Sequence, residues 1–208
     1  MRGDDTARRS EYDAIFEPDG SPETEADESA VARAFVTASK PYLSTPWSWF
    51  AWALVLPAAA LATPTAATLG RELGVAILWT IAIVVGGAIE GFFLLRNRSR
   101  ARRSRWSSWA MALQGNLSLV AVALSAALLW LGAADLLPGL WLLLLGHSFF
   151  ALGGLAFRPM RAAGIFYQLG GVAALIPGGR PLFAFAIATA LGNLWIGLGV
   201  WRRRLKEQ

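Results

Sequence analysis

Cysteine is absent from the 208 residues, and histidine occurs once, at His147. The chain can therefore build no disulfide, thiolate nucleophile or iron–sulfur cluster, and most protein-only zinc, copper or iron sites are excluded as well. Charge is scarce too. Only 16% of residues are charged, against roughly 25% in an ordinary soluble domain. Beyond residue 45 the acidic residues are reduced to Glu72, Glu90, Asp135 and Glu207. The start lacks the basic residues followed by an apolar core that mark a signal peptide. No internal repeat stands out, and no cofactor is expected.

Apolar residues are abundant, at 55% of the chain with a mean hydropathy of +0.46. They fall into six stretches, near 47–67, 74–95, 106–131, 138–157, 162–178 and 181–201. A hydrocarbon core of about 30 Å needs roughly 20 apolar residues in a helix, and lipid tolerates only helices or closed barrels. The expected fold is all-α: a polytopic bundle of six transmembrane helices over residues 46–208. Pro57 is expected to kink the first span. The fifth is the shortest, glycine-rich, and ends at Pro177-Gly178-Gly179.

Residues 1–45 form a different region. Asp4, Asp5, Glu11, Asp13, Glu17, Asp19, Glu23, Glu25, Asp27 and Glu28 alternate with Pro18, Gly20, Ser21 and Pro22. Such a segment cannot bury enough apolar surface to offset chain entropy, so a mostly disordered acidic tail is expected. From 28 to 40 the spacing of Val31, Phe35 and Ala38 predicts one short helix. It either lies on the membrane surface or docks a cytosolic partner.

Basic residues set the orientation. Arg96, Arg98, Arg100, Arg102, Arg103 and Arg105 crowd the loop between the second and third spans. Arg158 and Arg161 follow the fourth, and Arg202, Arg203, Arg204 and Lys206 follow the sixth. The opposite loops hold only Arg71 and Arg180, with Glu72 and Asp135. Both termini are therefore expected in the cytoplasm. Trp47, Trp49, Trp52, Trp106, Trp109, Trp130, Trp141 and Trp201 lie near span ends, as an aromatic belt requires. The net charge of +5 averages an acidic tail against basic loops. It points to anionic lipid headgroups on Arg96 to Arg105, at about 1 kcal/mol per residue, and not to nucleic acid.

Ionisable and amide groups inside spans cost free energy and by default mark a bundle interior or cavity. At about 1.5 Å per residue from the cytoplasmic end, Glu90 lies roughly 8 Å deep and Gln168 about 9 Å. Asn193 lies about 12 Å deep, and Asn116 and His147 about 15 Å. If all five face inward, they form one polar site opening toward the cytoplasm. The alternative is that they only bond helices together, at about 0.6 kcal/mol per contact, with Glu90 reaching Arg96 or Arg98. His147 and Ser148 are neighbours on one helix and point about 100° apart, a poor base–nucleophile pair. Gly146-His147-Ser148 lacks the glycine that completes a hydrolase elbow. No enzyme activity is expected. Gly87-xxx-Gly91 and Ala188-xxx-Gly192 allow close helix approach, within the chain or between copies.

The run Pro138-Gly139-Leu140-Trp141-Leu142-Leu143-Leu144-Leu145-Gly146, then Phe157-Arg158-Pro159-Met160-Arg161 and Gly164, resembles a group of small bacterial inner-membrane proteins. These are multi-span proteins of unassigned function, and the likeness extends weakly to Tyr42-Leu43-Ser44. The resemblance implies topology and a location in the bacterial cytoplasmic membrane. The group tends to carry a histidine in the last span, where this chain has Asn193. Two functional readings are open. One is an accessory or regulatory subunit that docks on a larger membrane complex, with a membrane protein or a second copy as partner. The other is a small transporter or channel-like protein built around Glu90 and His147.

Overall fold

The computed structural model describes residues 45–96, 105–155 and 157–207. The acidic tail with the expected helix at 28–40, and Arg98, Arg100, Arg102 and Arg103, lie outside the described residues. The elements are α1 (Trp47–Arg96), α2 (Arg105–Trp130), a short 3-10 turn (Ala134–Leu136), α3 (Leu137–Leu155), α4 (Arg158–Ala174) and α5 (Pro181–Glu207). Among the described residues there is no strand. The protein is all-α.

The 50 residues of α1 are two antiparallel arms. Arg71 leaves helical geometry at φ 51° and ψ −139°, a region that a residue with a Cβ enters only at a cost of order 1–3 kcal/mol. The chain turns back there. Across the arms the Trp52 indole donates to Glu90 over a sequence separation of 38 residues, at 2.9 Å. In a straight helix those positions would lie about 57 Å apart. Nearer the turn, Trp79 Nε1 donates to Thr63 Oγ1 at 3.1 Å. Pro57 and Pro64 lie inside the first arm, but the backbone departs from helical values at Arg71 alone. The reversal at Arg71 falls in the gap expected between the first two apolar stretches, 47–67 and 74–95.

Helix starts follow proline, whose missing N–H costs nothing in the first turn: Pro159 stands at the head of α4 and Pro181 opens α5. The end of α2 is closed by Gly132 at φ 70°. The Ala133 N–H donates to the Leu128 carbonyl at 2.8 Å and the Gly132 N–H to Leu129 at 3.1 Å, the paired bonds of a Schellman end.

Among the described residues, three helices are long and apolar enough to cross a membrane: Trp47–Phe93, Ala134–Ala151 and Pro181–Lys206. The first of them contains both arms of the hairpin. Gly115–Trp130 is a shorter apolar helix. The 17 residues of α4 reach about 26 Å, short of a full hydrocarbon core. The six apolar stretches therefore correspond to six helical segments in place and type, but not to six helices of full spanning length.

The core is formed by α3, α4, α5 and the first arm. Leu142, Tyr167, Phe185 and Ala188 are buried together with Ala60 and Ala174. Nearer the other end, Ala163, Ile196 and Val200 pack with Met160. Phe50 stands edge-on to Trp201 with centroids 6.2 Å apart, so the first arm begins beside the end of α5. Trp79 stands edge-on to Phe185 at 5.7 Å, so the hairpin turn lies toward the start of α5. One end of the bundle consequently gathers Arg96, Arg158, Arg161 and Arg202 to Lys206. The other carries Arg71, Glu72, Asp135 and Arg180.

Candidate functional site

The polar residues within the helices take separate positions. Asn193 on α5 is buried and donates from Nδ2 to the Tyr167 hydroxyl on α4 at 2.9 Å. Tyr167 is itself wedged against Phe149 of α3, with ring centroids 5.2 Å apart. One turn away Thr189 returns its hydroxyl to the Phe185 carbonyl at 2.8 Å. Among the described residues, no buried side-chain nitrogen or oxygen lacks a hydrogen-bond partner. The core is polar in places, and it is closed.

Glu90 lies elsewhere. It is half-buried in the hairpin, and its described partner is the Trp52 indole and not Arg96; the expected alternative partner Arg98 lies outside the described residues. Gln168 is half-buried on α4 and packs its Cγ against Gly146 of α3. Asn116 on α2 and His147 on α3 are exposed. His147 and Ser148 point apart, the first outward and the second buried. Of the five residues expected to form one inward-facing site, the structure brings none into hydrogen-bond contact with another. Helix rotation decides this outcome: α1, α2 and α3 are apolar nearly all round, so the positions of Glu90, Asn116 and His147 do not dictate which way they face.

The expected arginine cluster is described only at its edges. Arg96 is exposed at the end of α1, and Arg105 opens α2. On the same end of the bundle Arg161 lies over the Phe150 ring at 4.7 Å from its centroid, a cation–π contact that anchors the start of α4. Arg202, Arg203, Arg204 and Lys206 are exposed along the last turns of α5.

Two features escaped the sequence reading. Tyr167 was not singled out, because one tyrosine in an apolar stretch carries no signal until its partner is known. The glycine repeat is the second. Gly139, Gly146 and Gly153 recur every seven residues on α3, and Gly164 and Gly171 do so on α4. A Cβ added at Gly164 would stand 2.7 Å from the Gly146 carbonyl oxygen. Both helices thus meet along a glycine seam that allows backbone contact. Its seven-residue period was legible. By contrast, Gly87 and Gly91 are open, with nothing within 4 Å of an added Cβ. Ala188 and Gly192 are used inside the chain, against Gly170 and Tyr167.

No protein-family model, curated protein or solved structure matches the chain.

Proposed function

We propose that this chain is an integral membrane protein of six crossings with both termini in the cytoplasm. It acts as a non-catalytic accessory or regulatory subunit that docks on a larger membrane complex. The segregation of arginines to one end of the bundle supports the orientation. The resemblance around Pro138–Gly164 supports a bacterial inner membrane. The 17-residue α4 crosses by letting Arg158 and Arg161 reach the headgroup layer from its first turn.

The observation that carries the docking reading is Asn116. It stands exposed on α2, without a hydrogen bond to any described residue, among the exposed Leu119, Val120 and Val122. An amide facing lipid has no partner, whereas an amide facing a neighbouring helix gains about 0.6 kcal/mol and at most about 1.7 kcal/mol. His147 is exposed in the same manner on α3. Both groups suit a partner helix that supplies polar side chains. The transporter reading draws less support, because Glu90 is engaged by Trp52 within the hairpin and His147 faces outward on another helix.

The test is a pull-down of the tagged full chain in nanodiscs, with mass spectrometry of what accompanies it. A stoichiometric membrane protein is expected, and its yield falls several-fold when Asn116→Leu and His147→Leu are combined. Recovery of a lone monomer or homodimer, unchanged by the substitutions, overturns the proposal.

A further inference from the structure

Two grooves run along the outer side of the α4–α5 seam, one toward each end of the bundle. The groove at the arginine-rich end has a volume of about 360 Å³. Its floor is the contact between Pro159 and Gly199, where an added Cβ would stand 2.8 Å from the proline Cγ. Trp195 and Leu198 form its apolar wall, 45% and 41% exposed. Arg202, Arg203 and Lys206 form its mouth. Along α5 the positions 195, 198, 199, 202 and 206 follow helical spacing, so they share one face. That face changes from apolar to cationic over about 10 Å between Trp195 and Arg202. Among the described side chains, none that lines it is acidic.

The second groove, about 460 Å³, is lined by Phe166, Leu169, Phe183 and Leu191, with Arg180 as its one charged residue. Phe166 and Trp195 stand edge-on with centroids 6.1 Å apart. Since each ring lines a different groove, this pair separates the two.

We propose that the groove at the arginine-rich end is a binding site for a phospholipid with an anionic headgroup. An acyl chain lies along Trp195 and Leu198, and the phosphate meets Arg202, Arg203 and Lys206. The guanidinium groups match phosphate oxygens with paired N–H donors. A soluble phosphate would leave the apolar wall unused, and a zwitterionic lipid would bring its own cation against three others. A lipid with net negative charge satisfies both halves. The inference rests on the membrane reading above and is independent of docking. A chain absent from the membrane fraction would fail that reading, whereas a membrane-resident chain without lipid preference fails this one.

The experiment uses the full chain extracted in mild detergent, with native mass spectrometry during titration of phosphatidylglycerol or of phosphatidylcholine with the same acyl chains. The wild-type chain is expected to retain phosphatidylglycerol in preference. Arg202→Gln, Arg203→Gln and Lys206→Gln together are expected to weaken that retention about tenfold or more, with phosphatidylcholine unaffected and the helical circular dichroism unchanged. Arg202→Lys with Arg203→Lys keeps most of the retention, and Arg180→Gln keeps all of it. Equal retention of the two lipids by the wild-type chain overturns the proposal without any variant. So does an unaltered triple variant, an equal loss in Arg180→Gln, or displacement by soluble glycerol phosphate.

Discussion

Among the described residues, Trp52, Trp79 and Trp141 each donate the indole N–H to a side chain on another helical segment. Trp52 reaches Glu90 at 2.9 Å, Trp79 reaches Thr63 at 3.1 Å, and Trp141 reaches Ser125 at 3.0 Å. In an apolar surrounding an unpaired N–H costs several kcal/mol, so each bond also selects a helix register. The first two hold the hairpin, and the third ties α2 to α3. Glu90 belongs to this set by its geometry. Its role as an acceptor predicts coupling with Trp52. Trp52→Phe and Glu90→Leu are each expected to lower unfolding stability in detergent by about 1 kcal/mol, and the double variant by little more than either single one. Strict additivity in thermal melting would show that the two side chains do not interact. At this scale the sequence was least informative. Glu90, Asn193 and Gln168 were visible as polar residues in apolar stretches, yet their partners Trp52, Tyr167 and Gly146 come from other helices and could not be read from local spacing.

Among the elements, α3 and α4 make the closest pair because glycines line both sides of their contact. The absent side chains let the backbones approach, and dispersion along that seam replaces the hydrophobic drive that lipid removes. A methyl group there has no room. Gly164→Ala places a Cβ 2.7 Å from the Gly146 carbonyl and is expected to lose about 1–3 kcal/mol. Gly87→Ala meets nothing within 4 Å and is expected to be neutral or to gain up to about 1 kcal/mol from helix propensity. Melting temperatures of the two variants side by side decide the matter; equal shifts would mean that the α3 and α4 backbones do not meet at Gly164. Helix positions were legible, since apolar length and proline placement mark where each segment runs. The α1 reversal was legible as a gap between the first two stretches, around the Gly70–Arg71 pair. The seven-residue glycine period was present but blends into the general abundance of glycine, 21 residues in all. The pairing of α3 with α4 gave it meaning.

For the molecule as a whole, the two ends differ in charge. Arg96, Arg158, Arg161 and Arg202 to Lys206 lie at one end, and Arg71, Glu72, Asp135 and Arg180 at the other. The proposed orientation makes a prediction that the cysteine-free chain is suited to test, because background labelling is zero. Single cysteines at Arg71, Asp135 or Arg180 are expected to react with a membrane-impermeant maleimide added outside intact cells. Cysteines at Arg161 or Lys206 are expected to react only after permeabilisation. The reverse pattern removes the proposed orientation, and labelling of both sets from outside removes the six-crossing topology. Composition, the location of six apolar helical segments and the gathering of most of the described arginines at one end of the bundle were legible in the sequence alone, because the length and order of the segments fix which loops share an end. The tertiary structure decided which face of each helix turns inward, that Asn193 and Glu90 are bound by separate partners, and that Asn116 and His147 face outward. In α1, α2 and α3, apolar on nearly every side, no stripe encodes that rotation, and the fit of glycine seams, tryptophan donors and aromatic edges between segments selects it.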